Sequence, residues 1–379
     1  MNKHHTSPRV RSAEAGVTLI ELMVALLLGL ILIGGAIQVF VSNRAGYAFN
    51  EGFSRLQENG RFALDTIDYH TRLAGYLGCL SGVTVFNNLN ATATLPFNLP
   101  PGVFGYEAAG TLPTDTFAAA ATDPANSATA ANWSPALPAP LLGSVIPGSD
   151  VLIVGHVNPT SYALLSPFSS AAQVTATAPA DAFQVGDIAV ASDCQKASVF
   201  QVTAVGAVGG GITLSHTATG TPGNAAAEAS WDTDEQYAAG AQVARAETWA
   251  FYVGARGAGL PPALFQRRLI IDPATTTARF DVPEEVVEAV EMMQVRYGLD
   301  ANLDGAIEQY VTADVVDAAN NWPRIASVRV AIVTRSPEEY GTEVDTTNYI
   351  VDGTTFNPVN DRRVRQVFVS TIAIRNRLP

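Results

Sequence analysis

The chain has 379 residues, a net charge of −13, 47% hydrophobic residues and only two cysteines. An acidic chain is ill-suited to nucleic acid, and two cysteines in this length do not make a disulfide-built scaffold. Beyond one apolar anchor about 300 residues remain, enough for one large or two small cores.

Residues 1–16 carry Lys3, Arg9 and Arg11 against Glu14, a basic leader suited to the cytoplasmic side of a membrane. From Val17 to Val41 the only charge is Glu21. A helix rising 1.5 Å per residue crosses a bilayer in such a run. A carboxylate inside it costs about 2.5–3.5 kcal/mol on insertion scales, so it needs a partner. A cleaved secretory signal would have an apolar core of about 7–15 residues and no acid. A plain signal anchor accounts for length and orientation but leaves Glu21 unexplained.

Residues 16–22, Gly16-Val17-Thr18-Leu19-Ile20-Glu21-Leu22, resemble the class III signal shared by type IV prepilins and type II secretion pseudopilins. The resemblance implies that prepilin peptidase cuts after Gly16, that the new N-terminus at Val17 is methylated, and that Glu21 is kept for assembly. Val17 stands where that family usually has Phe. A new amine at Val17, from the same or a neighbouring subunit, would give Glu21 its partner; breaking such a buried pair costs about 3–5 kcal/mol. Loss of a leader of net +2 from a chain of net −13 leaves −15 over 363 residues.

Residues 42–78 continue as an amphipathic stem. Phe53, Leu56, Gly60, Ala63, Ile67, Thr71 and Ala74 recur at spacings of three and four, with Arg55, Glu58, Arg61, Asp65 and Asp68 elsewhere. A helix from Val17 to Gly75 would be about 88 Å long, and Gly75 and Gly78 offer a stop. The stretches 54–64 (Ser-Arg-Leu-Gln-Glu-Asn-Gly-Arg-Phe-Ala-Leu) and 72–79 (Arg-Leu-Ala-Gly-Tyr-Leu-Gly-Cys) resemble the PilW family of minor pilins. An ordinary pilin stem is the plainer reading of the same residues.

The remainder, residues 79–379, reads as a β-rich periplasmic or extracellular domain. Residues 87–148, rich in Ala, Pro, Thr and Asn, read as an irregular insertion. Strands are predicted at 151–154, 188–191, 199–205, 212–214, 248–253, 263–271, 293–297, 325–334 and 364–374. The last has two apolar faces and reads as a central strand. Asp281-Val282-Pro283-Glu284 reads as the start of a short helix. No crossover helices alternate with the strands, so the sheet should be mainly antiparallel. The expected fold is α+β and type IV pilin-like: a long N-terminal helix packed on a mainly antiparallel sheet domain with large loop insertions.

Cys79 ends the stem and Cys194 lies beside a predicted strand, in a segment that with Phe200-Gln201-Val202 again resembles PilW proteins. In an oxidising periplasm a Cys79–Cys194 disulfide is expected, contributing about 4–5 kcal/mol in the chain-entropy model; two separate thiols are the alternative. Asp300, Asn302, Asp304, the Ala306 carbonyl and Glu308, with Gly305 at the turn, match most of a calcium loop. The twelfth position is Val311 rather than Glu, so a plain Asp-Gly hairpin turn fits as well.

Catalysis finds no support. His4 and His5 lie in the leader, His70, His156 and His216 are isolated, and no nucleophile elbow or phosphate loop occurs. We therefore expect no enzyme and no cofactor, save a possible calcium ion. The expected function is that of a PilW-like minor pilin. The resemblance implies inner-membrane insertion with a cytoplasmic N-terminus, then incorporation into the fibre. It further implies contacts with other minor pilins and the major pilin, priming of pilus assembly, and a place near the fibre tip. A type II secretion pseudopilin is the alternative, sharing signal and stem.

Overall fold

The computed structural model describes residues 16–78, 84–90, 102–119, 124–165, 173–193, 195–220, 222–225, 236–257, 259–272 and 278–377. They form two units that divide between Glu51 and Gly52. One helix, α1 (Leu19–Leu73), contributes to both. In the first unit its apolar side chains are exposed; Leu19, Leu30 and Leu32 are 78%, 72% and 74% accessible. By length and composition this helix can cross a membrane. A helix apolar all round belongs in lipid or in a protein core.

In the second unit α1 is amphipathic, with Gly52, Leu56, Gly60, Ala63, Leu64, Ile67, His70 and Thr71 buried on one face. Phe53, expected on that face, is only half-buried. The helix ends at Leu73, where Gly75 turns left-handed (φ 71°) and the Tyr76 amide donates back to the Leu73 carbonyl.

Twenty strands follow in the described residues. They begin with β1 (Thr84–Asn87), β2 (Val103–Ala108), β3 (Thr116–Ala118), β4 (Trp133–Ser134), β5 (Val151–Ala163), β6 (Gln173–Ala176) and β7 (Ile188–Ser192). Next come β8 (Lys196–Gln201), β9 (Ala204–Val208), β10 (Gly211–Ser215), β11 (Gln242–Gly254), β12 (Ala263–Ile271), β13 (Ala278–Phe280) and β14 (Glu284–Glu288). The last are β15 (Val290–Leu299), β16 (Gln309–Val311), β17 (Ile325–Arg335), β18 (Tyr349–Val351), β19 (Thr354–Asn357) and β20 (Arg365–Ala373), with a short helix α2 (Ala313–Ala318) after β16.

The largest sheet runs β1-β8-β7-β11-β5-β2-β4 and forks at β11. The first four residues of β11 pair with β7 and its last six with β12, while β5 follows its other edge. A second sheet runs β16-β15-β17-β20; smaller sheets run β6-β10-β9 and β18-β19-β3. Pairing is antiparallel except for β1 with β8 and β3 with β19. The fold is thus α+β with a mainly antiparallel sheet domain, as expected.

The main core joins the stem helix to the two largest sheets. Ala63, Leu64 and Ile67 of α1 meet Met293, Val295 and Tyr297 of β15, Val328, Val330 and Ile332 of β17, and Leu152, Val154 and Phe251 of the large sheet. Each fully buried aliphatic side chain contributes about 1.5–3 kcal/mol. Glycine permits the closest approach: a Cβ on Gly60 would overlap the Phe368 ring of β20.

Four expectations need correction. Residues 87–148 are not simply irregular, because they hold β2, β3 and β4, and Val103, Tyr106, Trp133 and Leu141 enter the core. Their proline and alanine content hid short strands that depend on partners distant in sequence: β2 and β4 pair in the large sheet and β3 pairs with β19. Residues 284–288 form a strand, not a helix: Val287 pairs with Leu264, so the backbone donors go to β12. The Asp281 carboxylate accepts the next amide, Val282, at the mouth of a strand rather than a helix. The segment 199–205 is two strands, broken after Gln201. Finally, β20 is an edge strand paired with β17 alone, and Val369 is 53% exposed.

Candidate functional site

The amino-terminal segment is built from Gly16, Val17 and Thr18, which precede the helix, and Glu21 in its first turn. Thr18 Oγ1 accepts the Glu21 amide at 3.3 Å. In return Glu21 Oε2 accepts from the Thr18 amide at 3.4 Å and the Thr18 hydroxyl at 3.3 Å. This is a reciprocal capping box, written in the sequence as Thr-x-x-Glu. It gives the one carboxylate of the apolar run two donors from its own chain. Val17 lies one residue before the cap, so a cut after Gly16 would place an amine next to this carboxylate's first turn. The cap bonds to the Glu21 carboxylate are already charge-assisted but leave its charge in place, so an ammonium there would add a charge–charge attraction. Residues 1–15, with the basic leader, lie outside the described residues.

Cys79 and Cys194 also lie outside the described residues. Their described neighbours approach each other: a Cβ on Gly78 would stand 3.8 Å from Cβ of Ser192.

The loop 300–308 joins β15 to β16 as a hairpin connection. Asp300, 3% exposed, accepts the Asp304 amide at 3.1 Å on Oδ1 and the Gly305 amide at 2.9 Å on Oδ2. Glu308 Oε2 accepts the Ala301 amide at 2.8 Å, and Asn302 Oδ1 accepts the Asp304 amide at 3.1 Å. Leu303 and Gly305 are left-handed, at φ 62° and 86°. Carboxylate oxygens of Asp300, Asp304 and Glu308 lie within 4.8 Å of one another. That all-oxygen set suits a hard cation such as calcium. Val311, where a bidentate acid would stand in an EF-hand, pairs with Tyr297 in β16 and is committed to the sheet.

Sequence reading also missed a buried imidazole pair. His70 of α1 and His156 of β5 lie with Nδ1 and Nε2 3.1 Å apart. His156 Nδ1 donates to the Val157 carbonyl at 3.2 Å, so its Nε2 is the acceptor of that pair. Burial, then His156, holds the His70 imidazole down at about 4, with Glu247 opposing; burial likewise lowers His156. Both rings are therefore neutral at neutral pH. His70 packs 4.6 Å from the Trp249 ring, a structural seat for the stem. Its place on the buried stem face was the only signal in the sequence.

Comparison with known proteins agrees with this arrangement. Residues 250–376 match the family described as Type IV Pilus-assembly protein W (PilW), and residues 11–37 match the prokaryotic N-terminal methylation motif. The PilW match covers β12 to β20 and hence the sheet against which the stem packs. No curated protein matches the chain. Among solved structures, a type IV-like pilin from Thermus thermophilus aligns with 13% identity over 35% of this chain and 80% of that one, at a TM-score of 0.19. The chain is thus PilW-like and carries a class III prepilin signal.

Proposed function

We propose that this PilW-like prepilin is a minor pilin of a type IV pilus. Prepilin peptidase removes residues 1–16, Val17 becomes the methylated N-terminus, and Glu21 receives an amine during assembly. Before assembly the apolar segment 17–41 sits in the inner membrane, N-terminus inside, with the body in the periplasm. In the fibre the chain contacts other minor pilins and the major pilin, primes assembly and lies near the tip.

The observation that carries this reading is the joining of two features in one chain. A signal helix whose sole acid forms a capping box continues into a stem seated on the PilW-matching sheet. The body below the stem is closed by a Cys79–Cys194 disulfide, a pairing supported by the approach of Gly78 to Ser192. The 300–308 loop is a weak calcium site held by Asp300, Asn302, Asp304, the Ala306 carbonyl and Glu308, a reading favoured by its converging carboxylates.

The test separates charge from capping. Glu21→Gln keeps a capping-box acceptor and removes the charge; Glu21→Ala removes both. Both variants should insert and be cleaved, yet be depleted from sheared fibres. Normal recovery of Glu21→Gln in fibres would show that the charge has no role in assembly.

A further inference from the structure

Three of the sheets meet at a sealed cluster of charges. Glu107 on β2, Asp150 before β5 and Arg296 on β15 are 3%, 1% and 2% exposed. Arg296 Nη1 donates to both oxygens of Glu107, at 3.1 and 3.0 Å, and lies 3.7 Å from Asp150 Oδ2. Its Nη2 donates to the Thr111 carbonyl and to Oγ1 of Thr354 on β19. Asp150 stitches two sheets together, accepting the Ala108 amide of β2 on Oδ1 and the Val295 amide of β15 on Oδ2, both at 2.8 Å.

One guanidinium cannot neutralise two buried carboxylates, and an uncompensated buried charge is costly enough that the group takes up a proton instead. Among the described residues, the other ionisable groups facing the cluster make the imbalance worse or leave it unchanged. Asp314 of α2 adds negative charge toward both acids, Asp317 of α2 faces Tyr106, and Tyr106 and Tyr297 are neutral phenols pushed upward by burial.

We infer that Glu107 holds a proton at neutral pH, and that its loss in alkaline solution loosens the joint between the sheets. Two backbone donors satisfy Asp150 as an anion, whereas the donors to Glu107 come from Arg296 alone, which Asp150 also engages. The Tyr297 hydroxyl is buried without a hydrogen-bond partner among the described residues. It presses on Gly105, two residues along β2, where a Cβ would overlap it. Burial, then Asp150, pushes the Glu107 carboxyl upward, further than burial pushes that of Asp150. A carboxyl whose folded pKa is raised contributes stability that is complete below its unfolded value and is lost as pH rises through the folded one.

The experiment is infrared spectroscopy of the full chain in detergent at neutral pH, with and without carboxyl-labelled glutamate, followed by melts from about pH 6 to about pH 10. A protonated-carboxyl band should shift with the glutamate label, disappear in Glu107→Gln, and titrate away in alkali. The melting temperature of the wild type should fall toward alkaline pH more steeply than that of Glu107→Gln. A neutral-pH spectrum without a glutamate-sensitive band overturns the assignment even if the variant does not fold. So does a band that shifts with labelled aspartate instead, or parallel melting curves for the two proteins.

Discussion

In the proposed function Glu21 serves two states of the chain. Alone, it is tied to Thr18 in the capping box; assembled, we propose that it takes an amine. The cap lowers the cost of carrying a carboxylate in an apolar run without neutralising it, so a partner cation still gains. At the same scale, the 300–308 loop already closes on its own hydrogen bonds from Asp300 and Glu308. An ion there would therefore add rigidity rather than create the fold, with affinity near 10⁻⁴–10⁻³ M, as in roughly comparable extracellular modules. Calcium at about 10 mM should raise the melting temperature of the wild type relative to chelator, and Asp304→Ala should lose that rise. An identical melt in both buffers would leave the loop as a hairpin turn.

Among elements, the stem shows which effect wins when propensity and packing compete. Alanine in place of a mid-helix glycine is favoured by about 1 kcal/mol. At Gly60 the new Cβ would meet the Phe368 ring of β20, and overpacking of that kind costs about 1–3 kcal/mol. Gly60→Ala should therefore destabilise the body in thermal melts, and adding Phe368→Leu should recover part of the loss. Equal melting of Gly60→Ala and wild type would mean that the ring moves aside freely. The stem face was legible because a period of three to four repeats over six turns. Strand 325–334 was legible as a long, mostly apolar run, and 263–271 as two apolar triplets flanking Gln266-Arg267-Arg268. Residues 284–288 were not: the same Pro-Glu-Glu start suits a helix, and only the partner strand β12 decides otherwise. Strands β3 and β4, three and two residues long, carry no period at all. The edge position of β20 was hidden because Phe368 and Ile372 face the core while Val369 is simply exposed.

At the scale of the whole molecule, the candidate site was read almost entirely from residues 16–41, where a single acid in an apolar run is an anomaly that demands chemistry. The buried His70–His156 pair and the Glu107–Asp150–Arg296 cluster escaped because their members come from distant segments with no shared spacing. The proposed Cys79–Cys194 bond belongs to this scale too, since it would fasten the base of the stem to the β7–β8 hairpin. Reducing and non-reducing digests should differ by one peptide pair containing both cysteines; labelling of both as free thiols in native protein would refute the bond. Whether this chain is a processed pilin is read from mass spectrometry of the chain recovered from sheared fibres. A processed pilin has its N-terminus at Val17, carrying a methyl group. A fibre-borne chain that retains Gly16, or begins elsewhere, would contradict it, as would the chain's absence from fibres.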